Sequence, residues 1–111
     1  MNLVKNAGKY NKKIMISRYL TIIDNDGFPF KQKVIMLQPY ASVKTTKGMT
    51  IIKNNSDFEK AYTNFTIRYP KKEITREMVV DFNGKTYTIE YLNNVNEANI
   101  ELEIQAKEVT H

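Results

Sequence analysis

There is no cysteine and no tryptophan in the 111 residues of this chain, and its single histidine, His111, is the last of them. Without cysteine there is no disulfide framework, no thiol nucleophile and no thiolate zinc site. Without an internal histidine, a Ser-His-Asp triad and a histidine metal centre are excluded as well. Glycine (4) and proline (3) are sparse, so each marks a turn or a break that carries information. No apolar run approaches the roughly 18 to 20 residues of a membrane-spanning helix, and the N-terminus lacks the apolar core of a signal peptide. The expectation is a protein with no membrane contact, cytoplasmic where it is made, in which the triplets Asn54-Asn55-Ser56 and Asn64-Phe65-Thr66 carry no glycan.

What is present is an ordinary globular composition, 41% hydrophobic and 26% charged, enough to bury one core and expected to form one domain over residues 1–111. The net charge of +5 is uneven. Residues 1–56 hold ten Lys and Arg against two Asp, and residues 57–111 hold seven against ten Asp and Glu. A basic half suits nucleic acid or an acidic partner, although dispersed solvated lysines give the same count.

The clearest local signal is Met78 to Leu92. Met78, Val80 and Phe82 alternate with Val79 and Asp81, and Tyr87, Ile89 and Tyr91 alternate with Thr86, Thr88 and Glu90. Two half-buried strands flank Asn83-Gly84, the pair best able to adopt positive φ at both centres of a type I′ hairpin turn. A lone hairpin is marginal in water, so further strands must cover it.

The rest of the chain supplies them. Residues 1–13 are basic and aperiodic, an N-terminal arm. From Ile14 to Ile23, Ile14, Ile16, Leu20 and Ile22 share one strand face, with Arg18 interrupting, and Asp24 to Pro29 turns the chain. Phe30 to Val43 reads as a second strand in which Val34 and Met36 oppose Ile35 and Leu37. Apolar residues on both faces fit a core on one side and a neighbouring subunit on the other, so Val34, Ile35, Met36 and Leu37 are candidate interface residues. Pro39 belongs at an edge or a bulge. Lys44 to Asn55 is too apolar for a solvent loop and too long for a tight connection, which predicts a functional inserted loop, with an added hairpin as the alternative. Ser56-Asp57-Phe58-Glu59 fits a capping box and predicts a short helix to about Tyr62. Phe65, Ile67 and Tyr69 resume strand alternation before Pro70, and Ile100, Leu102, Ile104 and Ala106 form a last strand with an acidic wet face. The fold class that follows is mainly β, a small antiparallel barrel or sandwich of about six to seven strands with a long inserted loop and one short helix.

No catalytic constellation emerges, and no cofactor is expected. Asp24, Asp26 and Gly27 imitate the start of a calcium loop without its downstream ligands. Gly84-Lys85-Thr86 lacks the upstream glycine and the strand-to-helix setting of a phosphate loop. Glu101 and Glu103 share a strand face in the ordinary manner of a solvated strand.

Taken in order, Ile14-Met15-Ile16-Ser17-Arg18, the Asp26-Gly27 turn, Tyr40-Ala41-Ser42-Val43, Phe65-Thr66-Ile67-Arg68-Tyr69, the hairpin Val80 to Ile89 and the terminal Ile100 to Ile104 resemble the head-tail joining family of tailed bacteriophages. These are head-closure, or stopper, proteins. The resemblance runs from about Lys13 to Lys107, with Tyr40 where the family more often has Trp. It implies a virion protein of the phage neck, assembled in the bacterial host cytoplasm. Such a protein forms a sixfold or twelvefold ring below the portal and adaptor, closes the DNA-filled head and presents a docking surface to a tail terminator or tail tube. In that family the long loop after the second strand enters the central channel. Carried onto this chain, the loop is Lys44 to Asn55, with Lys44, Thr46, Lys47, Gly48, Met49, Thr50, Ile51, Ile52, Lys53 and Asn54 as candidate plug residues. Converging copies of Thr50-Ile51-Ile52 have the β propensity to pair, the lysines suit the phosphates of double-stranded DNA without reading sequence, and Gly48 permits a hinge. Two other readings stand beside this one. A nucleic-acid module of OB type would gather Tyr10, Lys12, Arg18, Tyr19 and Lys31 on one face, and a tail-completion protein would serve a neighbouring joint.

Overall fold

A computed structural model describes the backbone of residues 9–53 and 56–109, and the side chains of these apart from 46–61. Eight strands form in chain order: β1 (Lys12–Lys13), β2 (Met15–Ile23), β3 (Pro29–Leu37), β4 (Tyr40–Lys53), β5 (Ser56–Arg68), β6 (Val79–Phe82), β7 (Lys85–Asn94) and β8 (Glu101–Glu108). All pairings are antiparallel, in the order β1-β4-β5-β8-β7-β6-β2-β3, and the sheet curls into a half-barrel. β1 and β2 are consecutive parts of one extended segment. The same stretch therefore pairs with β4 near one end of the order and with β6 near the other, and the Ile14 N–H donates to the Pro39 carbonyl between them at 3.0 Å.

The expected hairpin is present. Asn83 and Gly84 have φ of 54° and 76°, the two positive values a type I′ turn demands, and Val80 faces Tyr87 across β6 and β7. Inward residues of six strands then meet: Ile14, Ile16, Ala41, Phe65, Ile67, Val80, Tyr87, Ile89, Leu102, Ile104 and Ala106 are buried together, with Ile74 and Met78 from the β5–β6 connection. Phe65 stands at the centre, its ring edge-to-face with Phe82 at 5.8 Å and Tyr87 at 5.2 Å. Both separations lie in the favourable range for aromatic pairs.

Three expectations change. The helix at Ser56 to Tyr62 does not form, because those residues belong to β5, where Ser56 to Tyr62 lie opposite β4 from Lys53 back to Thr46. A capping box satisfies only the first turn's N–H groups, whereas the β4 partner offers a ladder along the whole segment. The inserted loop is likewise a strand as far as Lys53, and Asn54 and Asn55 lie outside the described residues. The strand expected over Phe30 to Val43 divides at Gln38-Pro39, where the proline has no N–H to give. A single 3₁₀ turn, Val95–Glu97, joins β7 to β8.

Two ribbons leave this body. β2 pairs with β6 only at Met15 to Ser17, and from Arg18 to Ile23 its partner is β3 alone. β5 pairs with β8 from Thr63 onward, and before that its partner is β4 alone. Each two-stranded stretch is about 20 Å long at the usual rise per residue. They account for a radius of gyration of 16.6 Å, where a compact chain of this length has about 13 Å. Both ribbons have an irregularity at the root, between Ile16 and Ser17 and between Thr46 and Met49.

Candidate assembly surfaces

The β2–β3 ribbon continues the apolar core face of β2 beyond the core. Strand pairing puts Leu20 opposite Gln32, Ile22 opposite Phe30 and Arg18 opposite Val34 on one face, and Tyr19 with Lys33, Thr21 with Lys31 and Ile23 with Pro29 on the other. Leu20 and Phe30 are exposed, and Ile22 and Val34 are half-buried. The turn at the tip is made by Asp24, whose Oδ1 accepts the N–H groups of Asp26 at 2.9 Å and Phe28 at 2.8 Å while Gly27 takes φ 86°. That carboxylate oxygen serves the turn as a backbone acceptor, the local role for which aspartate is favoured in turns, in place of a calcium ligand.

Of the candidate interface residues, Met36 and Leu37 pack against the core, Val34 is half-buried and Ile35 is exposed. The two-faced apolar pattern thus has two causes. Leu37 closes the core, and Val34 belongs to the ribbon face. The candidate plug residues Lys44 to Lys53 all lie on β4, Lys44 at the root of the second ribbon and those from Thr46 onward in the ribbon itself. The side chains from Thr46 onward lie outside the described residues, as does Asn54 altogether.

A third surface went unseen in the sequence. Lys9 and Tyr10 fold against the outer face of β5 and β8, where the Tyr10 hydroxyl and the Lys9 ammonium, the latter at 2.7 Å, both donate to Glu101 Oε2. Arg68 lies 5.2 Å from the centre of the Tyr10 ring and Lys13 lies 5.6 Å from that of Tyr40, both within cation–π reach. Tyr69 and Ile100 are joined by a 2.8 Å backbone hydrogen bond, and their exposed side chains complete the patch. The cleft among Lys9, Tyr10, Arg68, Tyr69, Asn99, Ile100 and Glu101 measures about 530 Å³. The available signal was the charge pairing of Lys9 with Glu101, but the separation in sequence hid it.

Hydrogen bonds from Lys9 and then Tyr10 hold the Glu101 carboxyl below its ordinary 4.5, and the same hydrogen bond raises Lys9. Tyr10 is raised first by burial and then by Glu101. A depressed carboxyl stabilises the folded contact above its ordinary pKa and loses that contribution as pH falls through the folded value. Acidification through the depressed value of Glu101, or Glu101→Gln at neutral pH, is therefore expected to release the Lys9–Tyr10 segment while the core holds. Amide exchange of Lys12 and Lys13 should quicken roughly tenfold, the scale of one charge-assisted hydrogen bond, with Ile104 and Val80 unchanged. Equal exchange in Glu101→Gln and the parent chain would count against this latch.

The residues of the nucleic-acid reading do not converge. Tyr19 and Lys31 share one ribbon face, Arg18 takes the other, and Tyr10 is engaged with Glu101 at the far end of the segment. Among the described residues there is also no group of three His, Asp or Glu placed to hold a metal ion.

The described residues thus form a curled antiparallel sheet with two projecting ribbons and an exposed aromatic, cationic patch. The family described as phage head completion protein matches residues 5–109, and the chain belongs to that family. Its role is accordingly a structural one in head completion, as a virion component. Among solved structures, a chain from the virion of a native gene transfer agent particle aligns with TM-score 0.65 and 12% identity, covering 91% of this chain and 96% of that one. The solution structure of protein SF1141 from Shigella flexneri 2a aligns with TM-score 0.69 and 19% identity, covering 96% and 98%. At these identities the likeness is one of fold. No curated protein matches the chain.

Proposed function

We propose that this protein is a stopper of the phage neck. Copies of it form a ring under the portal and adaptor, the β4–β5 ribbons reach into the channel to retain the DNA, and the opposite face receives the tail. The observation that carries this reading is the β4–β5 ribbon itself. Membership of the head completion family gives the setting, and the ribbon supplies a two-stranded extension from a rigid body, paired to no other strand beyond Thr46 and Tyr62. Edge groups on such a ribbon are ready to pair with copies of themselves. Lys44, exposed at its root, together with Lys47 and Lys53 on the same strand, suits phosphates through charge alone, a contact that weakens with salt and ignores sequence. The apolar face of the β2–β3 ribbon, with Val34 at its base, is suited to burial against a neighbouring subunit, since an exposed apolar patch of this kind marks an interaction site.

The experiment is to mix the purified protein with portal and adaptor rings and follow mass by light scattering and shape by electron microscopy. A saturable complex of cyclic symmetry with density closing the channel is the expected result. A strict monomer that ignores the connector and binds single-stranded DNA at low salt would replace this reading by the nucleic-acid module.

A further inference from the structure

We infer that neighbouring copies join head to tail, with the tip of the β2–β3 ribbon of one subunit seated on the tyrosine and cation patch of the next. This rests on the ring reading above and specifies its contact. The tip offers Ile23 and Phe28, 61% and 66% exposed, beside the exposed carboxylates of Asp24 and Asp26. The patch offers Tyr40, Tyr69 and Ile100, 56%, 42% and 69% exposed, beside Lys13 and Arg68. Each surface has apolar area beside its charges; the patch, with Lys9, Lys13 and Arg68 against Glu101, is net positive, and the tip, with Asp24 and Asp26 against Lys31, is net negative. That is the composition of a specific interface, in which tyrosine and arginine are the usual anchors and charge sets orientation.

The placement of the two surfaces decides that their contact joins separate chains. Lys13 faces Tyr40 at one end of the long segment that holds β1 and β2, and Asp24 lies at its other end, about 35 Å away along the strand. A stiff ribbon cannot bring its tip back to its own root. The contact must be made between chains, and a contact between two different patches can pass from copy to copy, closing into a ring where the rotation between neighbours closes. A tip-to-tip pair, by contrast, would set like charges of Asp24 and Asp26 against each other.

The chain has no cysteine, so two introduced thiols report without background. Phe28→Cys and Tyr69→Cys chains, mixed and treated with a short bismaleimide, are expected to give covalent dimers, and the doubly substituted chain a ladder of higher oligomers. Either single variant alone should give none. Lys13→Glu with Arg68→Glu should abolish the link to a normal tip and recover it with a tip carrying Asp24→Lys and Asp26→Lys. A Phe28→Cys chain that dimerises by itself as well as the mixture does would overturn the head-to-tail contact. So would a parent chain that forms rings by light scattering while its Phe28→Cys and Tyr69→Cys pair stays unlinked, an outcome that leaves the ring reading standing. A parent chain that remains monomeric even with its connector rejects both.

Discussion

Truncating Phe65 to alanine is expected to cost about 3–5 kcal/mol, the range for removing a buried aromatic ring whose cavity its neighbours cannot refill. Phe65 is fully buried and touches Phe82 and Tyr87 ring edge to ring face, so its removal takes away both aromatic contacts at the one point where β5, β6 and β7 converge. Against a total stability of about 5–15 kcal/mol for a domain of this kind, that is about a fifth of the margin at the least. Urea unfolding followed by circular dichroism should show a large fall in midpoint with the slope little changed. Tyr40→Ala is the control. Its side chain is largely outside the core, and its effect on stability should stay within about 0.5 kcal/mol. Similar midpoints for the two variants would mean that the core is centred elsewhere.

The second large effect concerns DNA retention. Because the segment after Lys44 is half of a hairpin, removing only Thr46 to Asn54 would strip β4 from the outer part of β5 and leave an unpaired edge, which invites aggregation. The informative deletion takes both strands. Residues 47–61 are removed and Thr46 is joined to Tyr62, its partner in the ladder, through Asn-Gly, the pair that favours a two-residue hairpin turn. The pairing of Thr45 with Thr63, and of β5 with β8 from Thr63 to Arg68, is untouched. The shortened protein should therefore fold with its core stability intact and still join the particle. Heads built with it are expected to lose most of their packaged DNA, as measured by nuclease protection of the genome. Normal protection in particles that contain the shortened protein would end the plug assignment.

Much of this architecture was legible in residue order, and the reasons are local. Asn83-Gly84 has the positive φ its sequence promises, since few other residue pairs tolerate that turn. Leu102, Ile104 and Ala106 are buried and alternate with half-buried partners as period-two reasoning requires. Pro39 was legible as a disturbance of the ladder, an edge or a bulge, and the strand expected to run through it divides there instead. What failed was whatever depended on a pairing partner, near or distant in sequence. Ser56 to Glu59 has a good helix start, yet β4 lies alongside, and a sheet partner overrides a four-residue signal. β1 is two lysines with no apolar pattern, and it pairs only because β2 carries it past Tyr40 and Ala41. The site was legible to the same degree. The odd composition of Lys44 to Asn55 left an inserted loop and an added hairpin open, and the pairing of β4 with β5 as far as Lys53 takes the second form, whereas the patch at Tyr10, Arg68 and Glu101 brings together residues from three separate parts of the chain and has no signature in any of them.

The irregular residues at the roots of the two ribbons have a consequence for length. Each pins the register where its ribbon leaves the body, and each ribbon beyond it is a plain antiparallel ladder. Inserting or deleting one residue in each strand turns every outer side chain to the wrong face, but two in each strand restore the pattern. The span of such a ribbon is therefore adjustable in steps of about 7 Å with no change to the residues around Phe65. In the proposed ring, the same body could then serve channels of different bore by editing its extremities alone.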